Sequence, residues 1–397
     1  MIGFEPSEEQ QALQRTARDF ADREVRPLAE RAHAKGAPER AWDWVEPVVA
    51  KGAELGFLSV LVPEEMGGLG GSCLDAVLLL EEIGAADVGV AGDYFALTST
   101  MPLMMLRAGT AEQKTAFIDR FLATRAPVLA GAQSEPNVAG SELMTGGADP
   151  AAGPKLRARR EGDDWVLDGR KSAFVTNASL ASDYFILART APDRPAFEGL
   201  SIFHVSADTP GFSAGSKTEL IGWPLTHHAE LNFDGVRLPA AAMVGPENGA
   251  AMVFAQIPEM PICLAACFIG LAREAYEYAL RYAKERQSGG ASIFGHQAVA
   301  LKLADMAVEL QAARLLVWDA AAACQTDPQA AAMFKAPAAK SAAVDVAIAN
   351  AQRCVEILGG YGVAREYQAG RFLNDAWVGY SCDFTRDVLR LGIAQGL

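Results

Sequence analysis

The texture of this chain changes twice, and that double switch restricts its possible folds more than any other feature. Up to residue 126 the apolar residues fall at helical intervals. Ser7, with Gln10 three positions on, is a capping-box start. Leu13, Ala17, Phe20, Val25 and Leu28 then mark one face of a helix. Trp42 to Ala53 continues the pattern and Gly56 stops it; "VPEEMGGLGGS" (62–72) reads as a glycine-rich loop, "AVLLLEEI" (76–83) as a buried helix, and Thr110 opens another helix. Between 127 and 243 the pattern becomes short runs rich in β-branched and aromatic residues: "WVLDGRKSAFVTNAS" (165–179), "YFILART" (184–190), "LSIFHVS" (200–206) and "AELNFDGVRLP" (229–239). Asp-Gly and Gly/Pro punctuation separates them, and "MTGGADPAAGP" (144–154) is a turn-rich loop. Helical texture then returns. Leu303, Met306, Leu310, Ala313 and Val317 recur at helical spacing, and "VDVAIANAQRCVEIL" (344–358) halts at Gly359-Gly360. The expected architecture is mostly α with a central β domain: an N-terminal helical domain (1–126), a middle β domain built as a small barrel or sandwich (127–243), and a C-terminal helical bundle (244–397).

Charge and cysteine usage exclude several functions. The net charge is −14, from 35 basic and 49 acidic side chains, which opposes sequence-independent binding to nucleic acid. No run approaches the roughly 18 apolar residues of a membrane helix, so no membrane partner is expected. The N-terminal "MIGFEPSEEQ" lacks a basic region followed by an apolar run, so no secretory signal is expected. Cys73, Cys263, Cys267, Cys324, Cys354 and Cys382 form no CxxC pair and read as reduced thiols of a cytoplasmic protein. His227-His228 is the one adjacent histidine pair and makes no metal-ligand pattern, so no metal is expected.

The chain has no phosphate-binding P-loop, and no G-x-G-x-x-G follows a strand. Three other stretches stand out together: "AQSEPNVAGSE" (132–142), "KSAFVTN" (171–177) and "LGGYGVAREYQAGRFLNDAW" (358–377). In this order, within a helix–β–helix layout, they resemble the acyl-CoA dehydrogenase family from end to end. The resemblance implies a helical domain, a β-barrel and a four-helix bundle, with FAD as cofactor. "SEP…GS" is similar to the family's flavin-contacting T-E-P-x-x-G-S, with Ser134 for Thr and one extra residue; it brings Gln133 and Ser134 to the cofactor and Ser141 to the substrate. "KSAFVTN" is similar to K-x-W-I-T-N, with Phe174 for the Trp that flanks the flavin, and Thr176 beside it. "LGGYGVAREY" resembles the family's Q-x-x-G-G-x-G region, which assigns Glu356, Gly359 and Gly360 to the cofactor, Glu356 standing where Gln is usual. In "YAKERQSGGASIFGHQAV" (282–299) the resemblance gives Arg286 to the pyrophosphate of a flavin held by a neighbouring subunit, with His296 and Gln297 contacting the same group; Gly289 replaces the usual Phe.

The same resemblance places the reactive acid. The family's catalytic glutamate follows the first glycine of the G-G-x-G motif by 24 positions, and Gly359 plus 24 is Asp383. Cys382-Asp383-Phe384-Thr385 thus stands where the family has Tyr-Glu-Gly-Thr, with Thr385 toward the cofactor and Phe384 toward the substrate. The physics suits a base: an apolar pocket raises a carboxylate's pKa and makes it a better acceptor for the weakly acidic proton beside a thioester. The developing enolate oxygen needs donors, which the resemblance supplies from the backbone N–H of Asp383 and the flavin ribityl chain. Aspartate is also a favourable helix N-cap, so the residue alone leaves base and cap open. A few family members carry the base on an earlier helix, where Glu259 lies one residue off the matching position; Pro258 and Pro261 there replace a D-x-x-R pattern that seats substrate. The implied activity is α,β-dehydrogenation of an acyl-CoA, with electrons passed to an electron-transfer flavoprotein by a homotetramer. An aspartate base resembles members acting on alicyclic acyl-CoA such as cyclohexanecarboxyl-CoA. The same fold also serves nitroalkane oxidases, which use an aspartate base, and non-catalytic members.

Overall fold

A computed structural model of the chain describes residues 5–138, 142, 149–383 and 385–395. Among the described residues seven α-helices precede the first strand: α1 (Glu8–Phe20), α2 (Arg26–Lys35), α3 (Trp42–Glu54), α4 (Cys73–Ala86), α5 (Val88–Phe95), α6 (Met101–Ala108) and α7 (Ala111–Ala123). The starts are set locally. Ser7 and Gln10 close the expected capping box on α1, and Ser72 with Asp75 and Thr110 with Gln113 do the same for α4 and α7. α4 is buried over nearly its whole surface, including two carboxylates in "AVLLLEEI". They survive burial because arginines from three helices converge on them. Arg18 and Arg273 meet Glu82, and Arg273 and Arg314 meet Glu81. Burial alone would raise the Glu82 carboxyl, but the Arg273 and Arg18 guanidiniums outweigh it and hold that carboxyl at about 2.

The middle region contributes β1 (Leu129–Ala132), β2 (Arg157–Glu161), β3 (Asp164–Thr176), β4 (Asp183–Arg189), β5 (Leu200–Ser206), β6 (Phe212–Ala214), β7 (His228–Pro239) and β8 (Met243–Val244). The hydrogen-bonded order is β6-β7-β3-β2-β4-β5-β8, with β1 added to β4 in parallel. Among the described residues this path is open, ending at β6 and β8, so the module is a bent sheet in place of the closed barrel expected. Two features account for the bend and the opening. The β3–β7 ladder shifts register twice, between Leu167 and Gly169 and between Lys171 and Val175, and such bulges curve a strand. β2 touches β4 only through Arg157 and Arg189.

The rest is helical: α8 (Ala250–Ala255), α9 (Glu259–Glu285), a hairpin of β9 (Gln287–Ser288) and β10 (Ala291–Ser292), α10 (Gln297–Thr326), α11 (Ala336–Leu358), α12 (Ala369–Ser381) and α13 (Arg386–Gln395). The seam Leu303, Met306, Leu310, Ala313 and Val317 is buried as its spacing predicts. α9 is the central rod, packed on α4, α10 and α11. Its crossing with α4 is close enough to need glycine: a methyl group on Gly270 would lie 2.2 Å from the Glu81 carbonyl oxygen. Among the described residues no helix is long and apolar enough to cross a membrane.

Candidate active site

α5, α6, β1, β3 and β4 enclose one cleft together with Trp223, Phe254, Leu264 and the turn after α12; it holds about 660 Å³ of empty space, counting the part open to solvent. Its wall is apolar: Phe95, Met101, Met104, Leu129, Phe185 and Leu187 dominate, with Thr100, Gln133 and Thr176 as uncharged polar groups. Among the described residues, Asp383 is the single ionisable side chain on that wall. The segment Ala96–Thr100, joining α5 to α6, is wound as a π-helix, and it turns Ala96 and Thr100 into the cleft.

The backbone aims Asp383. α12 ends at Ser381, and Asp383 takes φ 37°, a left-handed conformation uncommon outside glycine. α13 starts at Arg386, so Asp383 precedes the capping position and the cap-only reading does not fit the geometry. Its carboxylate takes no hydrogen bond or ion pair from any described residue. Lys340 of α11, 1% exposed, lies behind the turn. Its ammonium donates to the Asp383 carbonyl at 2.7 Å and also to the Cys382 carbonyl. Desolvation pushes the Asp383 carboxyl above its ordinary value, and the Lys340 charge pulls it back.

The polar groups of the wall are held from behind. Lys171 donates to the Gln133 carbonyl and to Glu135, each at 3.0 Å, and so fixes the end of β1 against β3. Ser134 and Ser172 share a hydrogen bond of 2.7 Å across the same seam. Thr176 is bonded to His228 at 3.2 Å; burial pushes that imidazole down to about 4, so it is neutral at pH 7. Trp223, at φ 56°, gives its backbone N–H to Asp375 at 2.8 Å and its indole N–H to the Asp375 carbonyl at 3.0 Å. Asn177 donates to buried Asp93 at 3.0 Å, and burial raises that carboxyl to about 7.

The sequence-predicted residues therefore fall into separate groups. Gln133, Thr176 and Asp383 share the cleft wall, with Ser134 bonded just behind it. Phe174 stands 64% exposed on β3, and Thr385 leads into α13. A second group does not line this cleft. Arg286 ends α9 with its guanidinium 5.3 Å from the Tyr361 ring centre. His296 bonds the Ser288 carbonyl at 3.0 Å, and Gln297 opens α10. Gly359 (φ 60°) and Gly360 begin the turn that carries Tyr361, and a Cβ on either would meet open space. Glu356 is tied to Lys302 and Gln352. Ser141 and Phe384 lie outside the described residues. Glu259, the other candidate base, is turned away from the cleft and paired with Arg107 at 3.0 Å.

These surroundings fit FAD. A largely apolar slot, with Phe174 exposed on the strand that also carries Thr176, suits a flat ring, and exposed Arg286 with the unobstructed glycines suits a pyrophosphate. Sequence reasoning missed Lys340, Asp375 and His228. For Lys340 a signal existed: it stands at helical spacing from Ala336, Ala343, Val344 and Ala347, all buried, so a charge sits on a core-facing stripe.

Three domain profiles match in chain order: "Acyl-CoA dehydrogenase, N-terminal domain" on residues 7–125, the middle domain on 134–236 and the C-terminal domain on 247–397. The probable acyl-CoA dehydrogenase YngJ of Bacillus subtilis is 32% identical over 397 residues, all of both chains. Butyryl-CoA dehydrogenase from Megasphaera elsdenii superposes with a TM-score of 0.89 at 27% identity, covering 100% of this chain and 99% of that one. A structure described as an electron transferring flavoprotein of Acidaminococcus fermentans gives 0.89 at 29% identity, with the same coverage.

Proposed function

Because the chain belongs to the acyl-CoA dehydrogenase family, and is an FAD-dependent oxidoreductase acting on acyl-CoA, we propose that Asp383 is the base that removes the α-proton of a short, branched or alicyclic acyl thioester. One observation carries this reading: among the described residues, Asp383 is the sole ionisable group on an otherwise uncharged wall. A carboxylate on that apolar wall has no competing partner among the described residues, and the desolvation that raises its pKa makes it a better base. Its backbone N–H is the donor assigned to the thioester oxygen. Bound FAD supplies the acceptor for the β-hydrogen, which leaves as hydride. Gln133 and Thr176, held by Lys171 and His228, orient what lies against them. Phe95, Met101, Met104, Trp223 and Phe254 exclude water and favour a compact acyl group.

Arg286, His296, Gln297, Glu356, Gly359 and Gly360 are assigned to the cofactor of a neighbouring subunit, since none of them lines this chain's own cleft. Exposed Leu301, Val308, Leu316, Met333 and Phe334 on and beyond α10 support a buried subunit contact, and with it the homotetramer. Electrons pass to an electron-transfer flavoprotein; the Acidaminococcus likeness supports this acceptor. Anaerobic addition of an acyl-CoA panel to the yellow protein tests the whole reading. Bleaching by small branched or alicyclic thioesters, with slow reoxidation in air, is the expected result. A monomer that takes up no FAD, or bleaching by no acyl-CoA, overturns it.

A further inference from the structure

Lys340 is a cation buried inside a helical bundle, and no step of the reaction described above uses it. An ammonium in such a place needs strong acceptors. It finds them in two consecutive main-chain carbonyls, those of Cys382 and Asp383, the second at 2.7 Å. These belong to the turn in which Asp383 takes its left-handed φ of 37°. A residue held in a sparsely populated conformation stays there only when its surroundings over-determine it. Lys340 projects from α11, between Ala336 and Val344 on the buried face of that helix, so it ties the turn to a rigid element of the core.

We propose that Lys340 is a positioning residue for the dehydrogenation: its ammonium fixes the Cys382–Asp383 turn so that the carboxylate faces the cleft, and it sets a positive charge beside that carboxylate. The inference rests on the reading of Asp383 as the base. The electrostatic half follows from an inventory of the groups that face the carboxylate. Among the described residues the cleft wall brings no other ionisable side chain. Within the turn, the Cys382 thiol is pushed up to about 12 by burial and is neutral. Beyond it the Cys267 thiol of α9 is likewise raised by burial. Arg386 and Arg390 of α13 are engaged with Asp345 of α11. Lys340 is thus the charge acting on Asp383 against desolvation.

The sign is definite. Removing a nearby positive charge raises a carboxyl pKa, by about one unit or more at close range. The acid limb of kcat/KM against pH then moves to higher pH, and activity falls more at pH 6 than at pH 8. Displacement of the base by about an ångström adds a loss of roughly 100-fold.

The experiment compares Lys340→Met, Lys340→Gln and Lys340→Arg as FAD-loaded proteins. The readouts are FAD content, the flavin spectrum, and pH profiles of kcat/KM with the best acyl-CoA. Lys340→Met is expected to keep FAD, lose roughly 100-fold in kcat/KM, and shift its acid limb upward by about one unit. Lys340→Gln retains a donor without the charge, so it shows the same limb shift with a smaller loss. Lys340→Arg retains the charge and keeps the limb in place. If Lys340→Met fails to fold, the limb of Lys340→Gln decides. An unmoved limb in the neutral variants overturns the inference. Asp383→Asn, measured in parallel, separates the two readings: if that variant is active, the base assignment fails; if it is inactive while the neutral Lys340 variants match wild type, only the role of Lys340 fails.

Discussion

Two lysines are fully buried beside the same cleft, and they do opposite things with their charge. Lys171, 0% exposed, meets a carboxylate: its Nζ lies 3.0 Å from Glu135, whose oxygens also accept the N–H groups of Lys155 and Leu156. Charge and counter-charge close on each other, and the product is a staple between the end of β1 and β3. Lys340 gives its protons to the carbonyls of Cys382 and Asp383, and the adjacent carboxylate is left facing the cleft. The two desolvated ammoniums carry similar burial penalties. The difference is what becomes of the nearby acid: one is consumed as structure, the other is left on the cleft wall, where the proposed proton abstraction needs it.

The largest effect that can break this comparison is on stability at Lys171. Lys171→Met leaves Glu135 buried without its counter-charge, which costs about 3–5 kcal/mol. Urea unfolding should show it as a lower midpoint at unchanged slope. A loss under about 1 kcal/mol would mean that the pair staples nothing, and the contrast would collapse.

Asp383→Asn tests the other side. Asparagine has the same shape, tolerates a left-handed φ and cannot accept the proton. Turnover should fall by at least about 100-fold, or about 3 kcal/mol of barrier, while FAD content and the urea midpoint hold. A variant that instead unfolds easily and turns over normally would make Asp383 a structural residue like Glu135.

The sequence showed the large divisions and the cleft more readily than what stands behind it. Apolar composition revealed the α4 helix, which is buried on nearly all sides, and periodicity revealed the α10 seam, because burial on one face is written in every third or fourth residue. The position of Asp383 was legible from its distance to Gly359. The roles of Lys171 and Glu135 were not: both lie in motifs that resemblance ties to the cofactor, and only the folded chain shows them bonded to each other. The grip of Asp375 on Trp223 depends on a contact across 152 residues of chain, which no local pattern encodes. The open sheet was hidden for the same reason: strand composition reveals the strands and not which edges meet.

A smaller effect concerns the acyl group. Aspartate falls short of glutamate by about 1.5 Å of reach, and proton transfer needs contact near about 3 Å. A compact group packed between Met101, Met104 and Trp223 can bring its α-carbon to the base. Cyclohexanecarboxyl-CoA or a branched thioester should therefore exceed a straight chain of equal carbon count by roughly tenfold in kcat/KM. Asp383→Glu should be impaired on that substrate through crowding. Preference for octanoyl-CoA, or an Asp383→Glu variant faster on every thioester, would show that the shorter acid does not select for shape.

The smallest expected effect is at Glu259, the rival carboxylate at the start of α9. Its Oε1 is paired with Arg107 at 3.0 Å, and Arg107 is half exposed, so that cation is already partly served by water. The other oxygen, Oε2, is buried with no hydrogen-bond partner among the described residues. Glu259→Gln keeps an acceptor for Arg107 and removes a charge that is poorly solvated in the fold. The lost ion pair and the relieved desolvation oppose each other, so the net change in stability should stay within about 1 kcal/mol. Glu259 is not part of the cleft wall, although Leu264 on the same helix is. Turnover should therefore stay within about twofold of wild type, since no proton path leads to this carboxyl. The measurement sharpens the comparison because Glu259 is another buried acid with a cationic neighbour, and it should behave as Glu135 does, as structure. Were Glu259→Gln to lose two orders of magnitude in turnover while Asp383→Asn kept its activity, the base would lie on α9, and the carboxylate beside Lys340 would be the structural one.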